Sequence, residues 1–252
     1  MKTVILTALL VGGATIFGGG VGLFFRGTTK KFLDIVLSFA AGVMLAAAML
    51  GLILPSLEYG GAGGIFTTVF GIFLGAFCVN LLDLLLPSVL SVERSESKLI
   101  DSDMDETGRR VFLFVAAIAL HNLPEGIAAG VGFGTGDFSD GILIATAIAL
   151  QNIPEGIIVT AAMLGVGVER SRAFFIAALT GVIEIAGTFI GFFAVSISSV
   201  VLPLILALAG GTMLYVISEE MIPQTHSGQD SKISTYCLLI GFALMLIFDS
   251  VL

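Results

Sequence analysis

Long apolar segments separated by short polar connections make up most of this chain. A run of about 20 apolar residues is the length of α-helix that crosses the hydrocarbon core of a bilayer. The pattern therefore predicts an all-α membrane protein with eight transmembrane helices in a single domain that spans residues 1–252. The predicted helices cover residues 4–25, 32–56, 65–87, 111–133, 141–165, 172–195, 198–222 and 233–252.

Composition agrees with this pattern, because 57% of the residues are hydrophobic, 12% are charged and the mean hydropathy is +1.09. Such a chain could not expose its surface to water, so its predicted surroundings are a lipid bilayer. The longest polar connection is the acidic segment 88–110. Its composition cannot support a packed core, and we predict a mobile loop there.

The basic residues are distributed unevenly between the two sides of the predicted membrane domain. If all eight helices span the bilayer, ten of the 11 Lys and Arg residues border one side, and Lys2 alone borders the other. Basic residues near short loops stay in the cytoplasm. The pattern predicts external termini, a cytoplasmic loop 88–110 and a location in the plasma (inner) membrane. The net charge is −8 and no basic cluster stands alone, so nucleic acid is not a predicted partner.

Two similar polar motifs interrupt the middle of consecutive apolar runs. They are HNLPEG at 121–126 and QNIPEG at 151–156, and they fall near the predicted bilayer centre, as do Met44 and Glu184. Three glutamates thus share a depth at which a charged side chain costs roughly 2.5–3.5 kcal/mol. No Lys or Arg is predicted at that depth. Protons, water or a bound cation must balance the charge, and a divalent metal ion does so most directly.

The spacing within each motif suits a pair of adjacent ligand positions. The first residue and the glutamate are four positions apart and share one helix face, whereas the asparagine lies about 100° around the helix. Pro124 and Pro154 lack an N–H, which leaves a backbone carbonyl available at the same depth. Polar residues at helix interfaces can also simply join transmembrane helices. That alternative explains one asparagine better than it explains two complete motifs together with Glu184.

Weaker sequence echoes surround the two motifs. GVML at 42–45 matches GTML at 211–214, and GAFCVNLLD at 75–83 matches GFALMLIFD at 241–249. Each echo pairs predicted helices that run in opposite directions. The order predicts that helices 1–3 and 6–8 form inverted repeats around helices 4 and 5, with a site at the midplane.

The motifs HNLPEG and QNIPEG, the eight predicted helices and the external termini resemble the ZIP (Zrt/Irt-like) metal transporters, in particular their GufA-like branch. The resemblance covers essentially the whole chain. It implies transport of divalent metals such as zinc toward the cytoplasm, through a two-metal site on helices 2, 4, 5 and 6. The implied first subsite contains Met44, His121, Glu125, Gln151 and Glu155, while Asn122, Asn152 and Glu184 complete a second subsite that Glu125 and Glu155 bridge.

Four other acidic residues lie near predicted helix ends. Glu58 and Asp249 fall on the outer side, where they are candidates for a metal entrance, and Glu219 and Glu220 fall on the cytoplasmic side, where they are candidates for an exit. Each is also compatible with an ordinary solvated helix end.

The donor set favours a borderline transition metal as cargo, because imidazole and thioether ligands are unusual for Mg²⁺ or Ca²⁺. Zinc is the expected ion, cadmium, iron and manganese remain candidates, and no prosthetic group is expected. A proton or cation channel could use the same acidic residues. An intramembrane metalloprotease would need a pattern such as H-E-x-x-H, and the chain contains only His121 and His226, so we predict no enzyme. The sequence leaves open whether the chain forms a homodimer.

Overall fold

Long helices form the framework of the protein. The computed structural model describes residues 2–25, 29–92, 106–133, 138–197, 199–227 and 231–251, and all regular structure within these ranges is helical. Seven of the helices, all except α4, are long and apolar enough to cross a membrane within the described ranges. The predicted all-α membrane class is therefore confirmed. The long helices are α1 (Lys2–Gly22), α2 (Lys30–Tyr59), α3 (Gly64–Val92), α4 (Glu106–Gly132), α5 (Phe138–Gly165), α6 (Arg170–Ile197), α7 (Leu202–His226) and α8 (Ser231–Val251).

The helix ends differ from the predicted ones mainly around the acidic connection. Helix α3 continues to Val92 and α4 begins at Glu106, so both ends of the predicted loop 88–110 are helical. Apolar residues continue beyond Pro87, which extends the hydrophobic run that supports α3. Residues 93–105 lie outside the described residues, and the predicted mobility of the loop stays a prediction.

Helices α2 and α7 each contain a π-helical segment, which the sequence reasoning did not predict. These segments are Ala47–Ile53 in α2 and Ile217–Met221 in α7. Leu54 N donates to the carbonyl oxygen of Met49, and Ile222 N donates to that of Ile217, five residues back in each case. A proline follows each segment closely and withholds one α-helical hydrogen bond. Single π turns inside α-helices are frequent at functional sites.

The helices pack in two groups of four. One group contains α1, α4, α5 and α6, and the other contains α2, α3, α7 and α8. Glycines allow the closest approaches within these groups: a Cβ on Gly12 of α1 would collide with the carbonyl oxygen of Gly181 on α6, and the reverse is also true. Small residues at helix interfaces are the usual means by which membrane helices pack closely.

The main apolar core lies between the two groups. It brings together side chains such as Met44 of α2, Ala128 of α4, Ile148 of α5 and Met213 of α7, all at most 3% exposed. The outer faces of α3 and α8 instead carry exposed apolar side chains, including Phe73 and Ile240. The apolar outer surfaces of α3 and α8 thus contrast with the polar motifs of α4 and α5, which lie beside the core.

Candidate metal site

A cavity lies where α2, α4, α5 and α7 meet, and predicted ligands from three helices line it. Met44 comes from α2, Glu125 from α4 and Glu155 from α5. Helix α7 adds Glu220 and Met221, both in or at the end of its π-helical segment. The remaining lining is apolar and consists of Leu37, Ala40, Ile118, Ile158 and Val216. The cavity thus combines carboxylates and thioethers in an apolar setting.

Several polar atoms of the two motifs, including those of the cavity-lining Glu125 and Glu155, are buried without a well-formed hydrogen bond among the described residues. They are both carboxylate oxygens of Glu125, Oε1 of Glu155, and the amide nitrogen and oxygen of Asn122 and Gln151. The Gln151 amide interacts with Glu125 and the Asn122 amide with Glu155, but neither contact has good hydrogen-bond geometry. Glu125 is 1% exposed and Asn122 is fully buried. Burying such groups without compensation is costly. A cation bound among the oxygens would remove most of that cost, which makes this cluster the best candidate for a metal site.

Glu184 of α6 is equally buried but has partners for both carboxylate oxygens. Thr15 Oγ1 donates to Oε2 at 2.6 Å, and Asn152 Nδ2 donates to Oε1 at 2.6 Å. The same Asn152 nitrogen also donates to the carbonyl oxygen of Val11 at 3.2 Å. Asn152 Oδ1 has no partner within the described part of the chain. This hydrogen-bonded group, formed by Thr15, Asn152 and Glu184, joins α1, α5 and α6.

Two glycines that follow the motif glutamates set the spacing of these helices. A Cβ on Gly126 of α4 would collide with the carbonyl oxygen of Glu184, and a Cβ on Gly156 of α5 would collide with that of Thr15. Both helices continue through the prolines that precede these glutamates, Pro124 and Pro154. The motifs therefore supply both the polar side chains and the close backbone approach that brings α4 and α5 toward α6 and α1.

The structure brings most of the predicted ligands to one region but does not describe all of them. His121 lies on α4, and its side chain is outside the described residues. Among the side chains that are described, no three from His, Cys, Asp and Glu are grouped so that they could hold a metal ion. Among the described side chains, Met44 and Gln151 could add thioether and amide groups to the carboxylates of Glu125 and Glu155.

The predicted entrance and exit residues are placed differently from one another. Glu220 is half-buried and lines the cavity together with the predicted ligands Met44, Glu125 and Glu155. Glu219 and Glu58 are exposed, and Asp249 is half-buried near the end of α8. None of these last three is among the residues that line the cavity.

A family model described as ZIP Zinc transporter matches residues 91–249 of this chain. The chain belongs to the ZIP family. ZIP proteins are transporters and not enzymes, so the metalloprotease alternative is excluded and the predicted absence of an enzyme activity is confirmed.

Three relatives illustrate how far the similarity to ZIP proteins extends. Zinc transporter ZIPB of Bordetella bronchiseptica is 37% identical over 246 residues, which cover 95% of this chain and 78% of that protein. Zinc transporter ZIP11 of Homo sapiens is 31% identical over 320 aligned positions, which cover 94% of this chain and 93% of that protein. Zinc transporter GufA of Myxococcus xanthus is 47% identical over 137 residues, so the match spans 54% of each protein. GufA-like proteins are thus among the relatives, as the sequence predicted.

Two contributors to the region were missed by sequence reasoning. Thr15 lies on the first helix, where its hydroxyl bonds Glu184, and Met221 lines the cavity from α7. Thr15 carried no signal in the sequence, because it is one of three threonines in an apolar run. Met221 directly follows Glu220 in a segment whose π-helical geometry the sequence pattern did not indicate.

Proposed function

We propose that this ZIP protein carries divalent transition-metal ions across the plasma (inner) membrane toward the cytoplasm, with zinc as the principal cargo. The observation that carries the proposal is the cluster of buried, unpartnered oxygen atoms on α4 and α5 beside the cavity. A cation supplies the missing partners. The names of the relatives, which are zinc transporters, support the choice of zinc.

The proposed first subsite comprises Met44, His121, Glu125, Gln151 and Glu155. Support comes from the cavity that Met44, Glu125 and Glu155 line and from the unpartnered amide of Gln151. Two carboxylates neutralise a dication, while thioether and imidazole ligands favour a borderline transition metal over Mg²⁺ or Ca²⁺. Amide ligands bind weakly, which suits an ion that must be released again. Cadmium, iron and manganese are further candidate cargoes.

The proposed second subsite comprises Asn122, Asn152 and Glu184, and Glu125 and Glu155 bridge it to the first. Unpartnered amide oxygens on Asn122 and Asn152 support ligand roles for both residues. Glu184 already accepts a hydrogen bond on each oxygen. Each carboxylate oxygen keeps a further lone pair, so Glu184 can still bind an ion. We therefore expect the second ion to bind more weakly than the first.

The proposed architecture has eight membrane spans, with α1–α3 and α6–α8 as inverted repeats around α4 and α5. Matching contacts support it: a Cβ on Gly42 of α2 would collide with the carbonyl oxygen of Leu238 on α8, and one on Gly211 of α7 with that of Ile72 on α3. Both α2 and α7 also contain a π-helical segment. The bias of basic residues supports external termini and a cytoplasmic acidic loop.

In the proposed path, metal enters past Glu58 and Asp249 and leaves past Glu220 and Glu219. The position of Glu220 on the cavity wall supports its role as the first group to receive an ion that leaves Glu125 and Glu155. The exposure of Glu219 supports a later position on the same route.

Uptake of zinc into liposomes that contain the purified protein tests the proposal. The parent protein is expected to show saturable zinc uptake, which a cation channel would not show, and Glu125→Gln is expected to abolish it. Glu169→Gln is the control, because Glu169 is exposed and belongs neither to the cavity lining nor to the proposed entrance or exit. Unsaturable flux, or equal uptake by the parent and Glu125→Gln, would contradict the proposed function.

A further inference from the structure

We propose that Thr15 of α1 is a positioning residue that competes with the second metal ion for Glu184. The inference rests on the proposed function, since it assigns a regulator to the second subsite. Thr15 would hold Glu184 in a hydrogen-bonded arrangement and thereby keep the second ion weakly bound.

The contact itself is short and fully enclosed. Thr15 Oγ1 lies 2.6 Å from Glu184 Oε2, and both residues are 0% exposed. The other oxygen of Glu184 accepts a hydrogen bond from Asn152 Nδ2. The carboxylate is thus held from two sides, by the first helix and by the second motif, which restricts how it can turn toward an ion.

The backbone around Thr15 fixes this contact. A Cβ on Gly156 would collide with the carbonyl oxygen of Thr15, so α5 packs directly on α1 at this residue. Gly12, one turn earlier, is in similarly close contact with Gly181 on α6. Thr15 therefore has little freedom to move away, and its hydroxyl is presented to Glu184 by two tight helix crossings.

The proposed inverted repeat gives Thr15 and Glu184 equivalent places in the fold. They are 169 residues apart, the separation that also relates Gly42 to Gly211 in the matching segments GVML and GTML. The contacts correspond as well, because Gly156 packs on the carbonyl of Thr15 as Gly126 packs on the carbonyl of Glu184. One repeat therefore supplies a carboxylate at this place, and the other supplies a hydroxyl that donates to it.

The hydrogen bond between Thr15 and Glu184 affects how readily Glu184 can bind a cation. An ion that binds Oε2 must share the oxygen with the Thr15 hydroxyl or displace it. If the hydroxyl is removed without a change in shape, Oε2 becomes a buried charged oxygen that lacks a donor, and an ion becomes its best partner. The second ion should then bind more tightly and leave more slowly.

The test is titration of the detergent-solubilised full chain with Zn²⁺ alone, for the parent, Thr15→Val and Thr15→Ser. Thr15→Val should raise the affinity for the second ion about tenfold, the effect expected from the loss of one competing charge-assisted hydrogen bond. Thr15→Ser keeps the hydroxyl and should match the parent. Thr188→Val is the matched control, because the buried Thr188 hydroxyl donates to the backbone carbonyl of Glu184 and not to its carboxylate.

The possible outcomes separate this inference from the proposed function. Weaker or unchanged binding of the second ion in Thr15→Val would overturn the inference, as would an equal shift in Thr188→Val. A parent that binds one ion supports the inference if Thr15→Val binds two and contradicts it if Thr15→Val also binds one. If the parent binds no zinc at all, the proposed function fails instead.

Discussion

Glu125 and Glu184 are two buried carboxylates on packed helices, yet their hydrogen bonding differs. Both are at most 1% exposed, and Gly126, next to Glu125, is in close contact with the backbone of Glu184. Neither oxygen of Glu125 takes part in a well-formed hydrogen bond in the described structure, although the Gln151 amide interacts with this carboxylate, whereas each oxygen of Glu184 accepts a hydrogen bond at 2.6 Å. Burial alone therefore does not identify a metal ligand. The absence or presence of compensating donors separates the stronger candidate from the weaker one.

The asparagines of the two motifs show the same contrast. Asn122 interacts with the Glu155 carboxylate but forms no well-formed hydrogen bond within the described ranges, while Asn152 donates to Glu184 and to Val11. The two asparagines thus occupy matching motif positions but make different contacts. The asymmetry arises because Asn152 lies within hydrogen-bond distance of Glu184 on α6 and of the Val11 carbonyl on α1.

The largest expected effect comes from Glu125→Gln. This change keeps the shape of the side chain but removes the charge that the proposed first ion needs, and zinc affinity should fall at least about a hundredfold. Equilibrium zinc binding in detergent measures the effect, with Glu169→Gln as an exposed control outside the cavity lining. If both variants bind zinc as the parent does, Glu125 is not a ligand. A lack of hydrogen-bond donors around a buried carboxylate would then not identify the metal site.

Gly126→Ala should disturb the close packing of α4 against α6 between Glu125 and Glu184. The added methyl would collide with the carbonyl oxygen of Glu184, and overpacking of this kind costs about 1–3 kcal/mol. Thermal unfolding of the detergent-solubilised protein should show lower stability. Gly13→Ala is the control, because no atom lies within 4 Å of its added Cβ. Equal stability of the two variants would show that α4 and α6 are not tightly packed at this point.

Met44→Leu tests whether the cavity uses a thioether. The volume changes little, but a soft ligand is lost, so cadmium affinity should fall about tenfold and zinc affinity by less. Met213→Leu is the matched control, since Met213 is a buried core residue of α7 outside the cavity lining. A cadmium affinity that is unchanged in Met44→Leu would remove Met44 from the first subsite.

Glu184→Gln should have the smallest effect on the first ion. Because Glu184 belongs to the proposed second subsite, the affinity for the first ion should stay within about threefold of the parent value, while the second ion is lost. Zinc titration resolves the two binding steps. Loss of both ions in this variant would show that Glu184 belongs to the first subsite and that its hydrogen bonds do not set it apart.

Sequence reasoning identified the elements of this structure that depend on hydrophobicity and local spacing. The apolar runs predicted the helices, and the polar motifs pointed to Glu125 and Glu155, which line one cavity in the structure. The hydrogen-bond partners of the buried polar side chains were not predictable from the same pattern. The bond between Thr15 and Glu184 depends on how α1 crosses α6, and glycines far apart in the chain, Gly12 and Gly181, set that crossing.

The π-helical segments escaped prediction for a related reason. In α7 the apolar pattern of a regular helix continues through Val216 and Ile217, while the wider turn depends on Pro223 and on packing against other helices. This geometry accompanies the unexpected position of Glu220 on the cavity wall. Glu220, which the sequence predicted as an exit residue, thus lines the same cavity as the proposed ligands.

Anomalous scattering from crystals soaked in zinc or cadmium tests the central claim most directly. We expect the strongest metal peak between α4 and α5, within about 2.0–2.3 Å of oxygen atoms of Glu125 and Glu155, and a weaker peak beside Asn122, Asn152 and Glu184. A strongest peak at Glu184 would reverse the order of the two subsites. Ordered metal only at exposed positions such as Glu58, from a protein that still takes up zinc, would contradict a midplane site on α4 and α5.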